Sequence, residues 1–496
     1  MCCFGLTVII EMIKVIQLIL GPLTFIIVQI WAPFEDLPPD GNAILASTIW
    51  IAIWWITEVI PIAVTSLLPL VLFPLTDGLE LTQTAASYGH KLIFLYVGGF
   101  IIAIAIERWN LHKRIALNVI RLIGTNQSRM VLGFMLATAF LSMWISNTAT
   151  SVMMLPIGLA IVAQLGVASK NESKANDFAK VLMLAIAYSA SIGGISTLIG
   201  TPPNLVLAGI VQEFYHYNIS FVEWFLLAFP ISITLLLICW KYLTSVAFRL
   251  KSGSFVLGRN EIIQHIKALG NMSFEEKLVL LVFGLTALAW ILRSFLLVHI
   301  FPAIDDSIIA VAGAITLFIL PTRNGEAKLL TWDDAVKIPW GIILLFGGGL
   351  AIAEGFKTSG LADWIGGQMT GLNGLDILFI LLLIVFAVNF LTEITSNVAT
   401  TSMLLPVIAP MSLALDVHPF ILMIGASMAA SCAFMLPVAT PPNAVVFGSG
   451  YLRIRDMVKT GVVMNIISVL IIGLYLYFGL ELIWGIDIQT FPETFK

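Results

Sequence analysis

The sequence WISNTATSVMMLPI at residues 144–157 recurs as ITSNVATTSMLLPV at residues 394–407, a shift of 250 positions. Both copies hold a Ser-Asn pair inside an apolar run, as Ser146-Asn147 and Ser396-Asn397. A second motif follows each copy, first as IGTPPNLVLAG at 199–209 and then as VATPPNAVVFG at 438–448. The chain is therefore expected to consist of two similar halves.

The composition places both halves in a membrane. Hydrophobic residues make up 59% of the 496 residues and charged residues 11%, whereas soluble domains are about one quarter charged. Mean hydropathy is +1.00. Many apolar runs exceed the roughly 18 residues that cross a bilayer as a helix. We expect an all-α polytopic membrane protein, multi-pass in the cell membrane and in contact with the lipid bilayer.

Apolar run lengths predict eleven transmembrane helices and two re-entrant hairpins. The crossings are expected at about 12–32, 43–58, 61–76, 92–107, 180–212, 223–246, 277–298, 304–321, 339–356, 419–450 and 460–485. The stretches at about 131–166 and 376–415 are too long for one crossing, so each is expected to enter and leave on one side. Residues 1–250 would form the N-terminal repeat, 251–276 a cytoplasmic linker and 277–496 the C-terminal repeat.

Lysine and arginine placement predicts the orientation, because cytoplasmic segments are enriched in these residues. With the N-terminus inside, the cytoplasmic segments contain Arg108, Lys113, Arg114, Arg121, Arg129, Lys170, Lys174, Arg249, Lys251, Arg259, Lys267, Arg323, Lys328, Lys337, Arg453, Arg455 and Lys459. The outer segments contain Lys91, Arg293, Lys357 and Lys496. This pattern predicts a cytoplasmic N-terminus, an external C-terminus and hairpins that enter from opposite sides. Inverted repeats with interrupted helices are typical of secondary transporters.

The two motifs supply ligands for a cation and for an anion. Proline removes a backbone donor and interrupts a helix, so Thr-Pro-Pro-Asn leaves carbonyl groups without helical partners. These carbonyls, with Ser, Thr and Asn oxygens, suit sodium, and amides at a half-helix N-terminus favour an anion. Ser142 precedes Ser146 by four residues and Thr392 precedes Ser396 by four. That spacing places each pair on one helix face, as two separate cation sites would require.

Charge distribution links the anion to sodium. Residues 131–169, 181–212 and 419–450 contain no Asp, Glu, Lys, Arg or His, and 376–415 contain only Asp376 and Glu393. An anion bound there would meet no fixed cation, so sodium ions and helix dipoles would have to neutralise it. A satisfied buried carboxyl is the favoured interpretation of Glu393. A helix-end or scaffold contact is the favoured interpretation of Glu58.

The sequence offers little for other functional classes. Small polar residues and prolines also join membrane helices, but the paired recurrence of both motifs favours a site. Four cysteines and six histidines form no spacing typical of a catalytic or metal centre, so an enzyme is not expected. A channel would not require inverted broken helices. No cofactor and no nucleic-acid partner is expected.

The paired motifs resemble those of the divalent anion/sodium symporter family, which carries dicarboxylates, citrate or sulfate. The resemblance covers residues from about 40 to 485. It implies a homodimer and an elevator motion, in which hairpins and broken helices slide against a fixed scaffold. The implied sodium ligands are Ser142, Ser146, Asn147 and Gly200 at one site and Thr392, Thr395, Asn397 and Ala439 at the other. The implied substrate contacts are Ser146, Asn147, Thr148, Thr201, Ser396, Asn397, Val398, Thr440 and Pro441.

One position departs from the family pattern. Val398 stands where the second motif of the family has threonine, opposite Thr148 of the first copy. A carboxylate would lose one hydroxyl donor there. We favour sodium-coupled import of four-carbon dicarboxylates such as succinate, malate and fumarate. Citrate or sulfate symport and anion exchange by the same fold are the alternatives.

Overall fold

The computed structural model describes the backbone of residues 2–31, 34, 36–123, 126–168, 172–250, 256–369 and 374–495. Helices dominate these residues, and Pro321 and Lys328 form an isolated antiparallel β-bridge. The first half comprises α1 (Cys2–Trp31), α2 (Pro39–Thr57), α3 (Ile62–Thr65), α4 (Pro69–Leu75), α5 (Leu81–Ser87), α6 (Lys91–Arg108), α7 (Leu111–Ile123), α8 (Gln127–Ser142), α9 (Asn147–Ala168), α10 (Glu172–Ile195), α11 (Pro202–Tyr215) and α12 (Phe221–Lys241).

The second half repeats the order of hairpin and helix break, with fewer residues between its hairpin turn and its break. It comprises α13 (Val256–Ala268), α14 (Phe274–Leu292), α15 (Val298–Ile300), α16 (Asp306–Ile319), α17 (Trp332–Ala335), α18 (Trp340–Thr358), α19 (Leu361–Gln368), α20 (Ile377–Leu391), α21 (Asn397–Ala414), α22 (Pro419–Ala430), α23 (Pro441–Phe447) and α24 (Ile454–Trp484). π-Helical turns at Tyr242–Ala247 and Arg293–Leu297 extend α12 and α14.

Nine helices in the described part of the chain are long and apolar enough to cross a membrane, which confirms an all-helical multi-pass protein. Shorter apolar helical segments lie at Ile62–Leu75, which contains α3 and α4, and at Asp306–Ile319, Ile377–Leu391 and Pro419–Ala430. The expected crossing at 61–76 is not one continuous helix, because Pro61 precedes α3 and Pro69 begins α4. The total of eleven crossings stays a prediction.

Each expected hairpin is a pair of helices with a short polar turn. Residues 143–146 separate α8 from α9, and residues 392–396 separate α20 from α21. Each expected broken helix is likewise two helices, since 196–201 separate α10 from α11 and 431–440 separate α22 from α23. Proline occupies the first position of both α11 and α23, where its missing N–H costs nothing.

The broken helices form the centre of the molecule. In α10, 94% of the most apolar 18-residue window is buried, against 6% in α1 and 28% in α14. α10 packs on α8, α9, α12 and α23, while α11 packs on α18, α21 and α22. The apolar surfaces of α1 and α14 are left for lipid, and the interrupted backbone lies inside protein, as irregular backbone in a membrane requires.

The expected linker at residues 251–276 contains the helix α13. α13 packs against α7 and α9, and the Arg114 guanidinium bonds the Glu276 carboxylate at 3.0 and 3.1 Å, joining α7 to the start of α14. Residues 251–255 of the expected linker lie outside the described residues. Lys170, Lys251 and Lys496, which contribute to the expected charge asymmetry, also lie outside them.

Candidate functional site

Both hairpin turns and both helix breaks line one cavity of about 860 Å³. The structure brings together in its wall most of the residues expected from the motifs. These are Ser146, Asn147, Thr148, Gly200, Thr201, Thr395, Ser396, Asn397, Val398, Ala439, Thr440 and Pro441. Segments 250 residues apart in sequence therefore meet around one space. Their roles as ligands stay predictions.

Two expected sodium ligands lie behind this wall. Ser142 is fully buried, and its hydroxyl donates to Oδ1 of Asn147. Thr392 is also fully buried, and its hydroxyl donates to the Ala430 carbonyl at 3.0 Å. In the structure Ser142 orients a cavity side chain, and Thr392 joins the second hairpin to the second helix break.

Four helices begin at the cavity wall. α9 starts at Asn147, α21 at Asn397, α11 at Pro202 and α23 at Pro441, and all four residues line the cavity. Helix N-termini carry partial positive charge. α9 and α21 can also present backbone amides, whereas the paired prolines that begin α11 and α23 have none. The cavity can therefore attract an anion although no lysine or arginine is among the described residues that line it.

The first helix break is held by one asparagine. Nδ2 of Asn204 lies 3.3, 3.1 and 2.7 Å from the carbonyl oxygens of Gly194, Ile195 and Thr197. The Thr197 hydroxyl donates to the Met143 carbonyl at 2.6 Å, which joins the break to the first hairpin. The Asn of Thr-Pro-Pro-Asn is thus a donor to the carbonyl groups that the break leaves open.

The second helix break uses the same device and adds a carboxyl group. Nδ2 of Asn443 donates to the carbonyl oxygens of Ala433 and Leu436 at 3.2 and 3.0 Å. Glu393, 3% exposed, accepts hydrogen bonds from the amides of Phe434 and Met435 on Oε1 and of Leu436 on Oε2, each at 2.8–2.9 Å.

Asn465 completes the environment of Glu393. Its Nδ2 donates to Oε1 of Glu393 at 2.7 Å, and its Oδ1 accepts from the Phe434 amide at 3.2 Å. The carboxyl group is buried and fully hydrogen-bonded, as the sequence interpretation favoured. It fills the amide cluster of the second break, so that cluster is not open to a ligand.

Several cavity residues were not expected from the sequence. Ser191 lies in α10 before the first break, Ser431 is the first residue of the second break, and Tyr96 and Phe100 contribute aromatic surface from α6. A signal for the serines was present, since each stands nine or ten residues before the threonine of Thr-Pro-Pro-Asn. The Ser431 and Thr201 hydroxyls are buried without a hydrogen-bond partner, which is the state expected of ligand-binding groups.

Glu58 lies in the same cavity wall. It ends α2 with a left-handed backbone, and its amide donates to the Trp54 carbonyl at 3.0 Å. The helix-end interpretation is therefore correct for its backbone. Among the described residues that line the cavity, its side chain is the only charged one.

Comparison with known proteins gives consistent relationships. Residues 13–484 match the family model described as the sodium:sulfate symporter transmembrane region. The sodium-dependent dicarboxylate transporters SdcS of Staphylococcus aureus strains USA300 and bovine RF122 / ET3-1 are each 48% identical over 483 residues, 96% of this chain and 93% of theirs.

A solved structure shows the same fold. The YdaH transporter of Alcanivorax borkumensis superposes with a TM-score of 0.58 over 88% of this chain and 98% of its own, at 13% sequence identity. At that identity the likeness concerns the fold alone.

Proposed function

Because the chain belongs to the sodium:sulfate symporter family, a family of membrane transporters and not of enzymes, we propose that it imports four-carbon dicarboxylates together with sodium. The observation that carries this proposal is the cavity wall, in which two Ser-Asn turns and two helix breaks face one space and the described lining residues include no lysine or arginine. The names of the 48% identical relatives support both sodium dependence and a dicarboxylate.

Each half would supply one sodium site. The first would use Ser142, Ser146, Asn147 and Gly200, and the second Thr392, Thr395, Asn397 and Ala439. Neutral hydroxyl, amide and carbonyl oxygens suit this ion. Since the wall holds no fixed cation, bound sodium would neutralise the substrate, and the anion would bind weakly without it.

The substrate would lie between the hairpin turns. Its carboxylates would contact the hydroxyls and amides of Ser146, Asn147, Thr148 and Thr201 at one end and of Ser396, Asn397 and Thr440 at the other, with Val398 and Pro441 as apolar contacts. The N-terminus would be cytoplasmic and the C-terminus external. The protein would act as a homodimer, with hairpins and broken helices moving against a scaffold.

Reconstitution tests the function directly. Purified protein in liposomes should accumulate labelled succinate when sodium is outside, and much less when potassium replaces sodium. Equal uptake in the two salts would contradict sodium coupling. Failure of unlabelled malate and fumarate to compete, together with inhibition by sulfate, would contradict the substrate class. Counterflow with internal succinate and no sodium would reveal an exchanger.

A further inference from the structure

We propose that Glu58 is a charge filter of the cavity, whose carboxylate makes the protein prefer dianions to trianions. This inference rests on the proposed function, because it names the charge class that the same cavity accepts. No role in selectivity follows from the sequence motif around Glu58, since WWITEVIP is explained equally well by the end of a helix.

The first observation is the position of the charge. The hairpin turns and helix breaks line the cavity with neutral side chains, and α2, α3, α6 and α18 also contribute to its wall. Glu58 contributes the only charged side chain among the lining residues. Its side chain is exposed, and no ion pair or side-chain hydrogen bond involves it within the described part of the chain. Its field therefore acts on the contents of the cavity without a neighbouring countercharge.

The second observation is the backbone of Glu58. Its φ of 48° and ψ of 34° lie in the left-handed region, which residues with a Cβ rarely adopt. Five of the other six non-glycine residues with positive φ are Asp, Asn or His, the types that tolerate this region best. Glycine or asparagine would end α2 with less strain, so ending the helix does not explain a glutamate at this position.

The physical consequence depends on ligand charge. Coulomb repulsion is proportional to the product of the charges, so a carboxylate in the wall opposes a trianion more than a dianion. Helix N-termini and sodium ions attract both. That attraction also grows with ligand charge, and Glu58 offsets part of what a trianion would gain from it.

The test uses an isosteric substitution. Glu58→Gln should raise the ratio of citrate to succinate uptake in proteoliposomes about threefold or more at saturating sodium and mildly alkaline pH, where citrate is a trianion. Glu58→Lys should raise the ratio further, and Glu58→Asp should leave it near the wild-type value. A ratio within one variant is independent of the amount of active protein.

Two controls separate charge from other effects. Glu80→Gln removes an exposed charge that does not line the cavity, and should not change the ratio. Glu58→Gly relieves the backbone strain and removes the charge, and should behave as Glu58→Gln. An unchanged ratio in Glu58→Gln, or the same rise in Glu58→Asp, would overturn the proposal.

A binding measurement distinguishes this result from the proposed function. Thermal stabilisation by succinate and citrate in sodium reports binding without transport. Wild-type protein that takes up no dicarboxylate would contradict the proposed function. The stabilisation by citrate relative to succinate would still be compared between wild type and Glu58→Gln. A change in that ratio would decide the role of Glu58.

Discussion

The asparagine of each hairpin turn combines two roles. Asn147 and Asn397 are the first residues of α9 and α21, and both line the cavity. Oδ1 of Asn147 accepts from Ser142, whereas Oδ1 of Asn397 accepts from the Val398 amide at 2.9 Å. Each side chain therefore has a fixed orientation at a helix N-terminus, as a residue shared by a sodium site and a substrate site requires.

We expect Asn147→Ala and Asn397→Ala each to reduce sodium-dependent succinate uptake by at least about a hundredfold, because each removes ligands of both sodium and substrate. Two or more lost polar contacts at about 1.5 kcal/mol each correspond to this factor. Uptake by equal amounts of purified protein measures the effect.

Asn118→Ala is the matched control. Asn118 also lies in a helix, but its Nδ2 donates to the Arg114 carbonyl at 2.8 Å, away from the cavity. This variant should transport at the wild-type rate. Near-normal uptake by either cavity variant would argue against its assigned role.

Individual site residues could be predicted from the sequence where a motif recurs. Ser146 and Ser396 were identified because each stands beside an asparagine in a duplicated apolar stretch. Glu58 was assigned to a helix end, and its exposure to the cavity was not foreseen. That exposure depends on how α2 packs against residues that are distant in sequence, which no local pattern contains.

The two helix breaks are stabilised differently. Asn204 and Asn443 donate to carbonyl groups in the two breaks, but among the described residues a carboxyl group binds the amides of the second break alone. The prolines of the two Thr-Pro-Pro-Asn motifs predicted where these helices are interrupted. They did not predict that Glu393, on the neighbouring hairpin, would satisfy three amides, because that contact joins positions about 41–43 residues apart.

Glu393→Ala should destabilise the protein by about 3–5 kcal/mol, because it leaves buried amide donors without an acceptor. Thermal unfolding in detergent measures the loss. Since α23 follows this break and Ala439 belongs to the second expected sodium site, the sodium concentration for half-maximal uptake should also rise.

Glu393→Gln should be less harmful, because its amide oxygen still accepts hydrogen bonds while its NH₂ group opposes the Leu436 amide. Glu326→Ala, at an exposed loop position, is the control and should unfold like wild type. If Glu393→Ala unfolded at the wild-type temperature, the carboxyl group would not hold the break.

On the scale of the whole molecule, α18 lies between two groups of helices. It packs on α2 to α6 on one side and on α11 and α21 on the other. Its three consecutive glycines permit close contact, since a Cβ at Gly348 would lie 2.6 Å from the Ser66 carbonyl oxygen and one at Gly349 would lie 2.7 Å from Oγ of Ser402. Under the proposed motion, Gly349 and Ser402 lie on opposite sides of the sliding interface.

Gly349→Ala should slow succinate uptake several-fold and destabilise the protein by about 1–3 kcal/mol through overpacking. The Ser402→Gly substitution in the same chain should restore much of the uptake rate and of the stability. It removes Cβ and Oγ of Ser402, the two atoms that the new methyl group would contact. The coupling in a double-mutant cycle measures this.

Gly284→Ala is the control for adding a methyl group to a helix, since a Cβ there would meet no atom within 4 Å. It should leave uptake unchanged. Additive effects of Gly349→Ala and Ser402→Gly would argue against direct contact between them.

The expected architecture of two similar halves was recognisable because hairpins and breaks recur in the same order. The count of crossings was harder to obtain. α3 and α4 show why, since an apolar run of crossing length is divided by prolines into two short helices.

The neutral side chains that the hairpins and helix breaks present to the cavity also determine how transport responds to membrane voltage. If these elements carry the site across the membrane with the Glu393 carboxyl group protonated, the charge that they translocate is only that of the bound ions. Two sodium ions with a dianion sum to zero, so membrane voltage should have little influence on that step. A third sodium would leave one net positive charge, and the free energy of moving it across the membrane would change by about 2.3 kcal/mol for each 100 mV of membrane potential. The recorded current would then show how many ions are carried with each substrate.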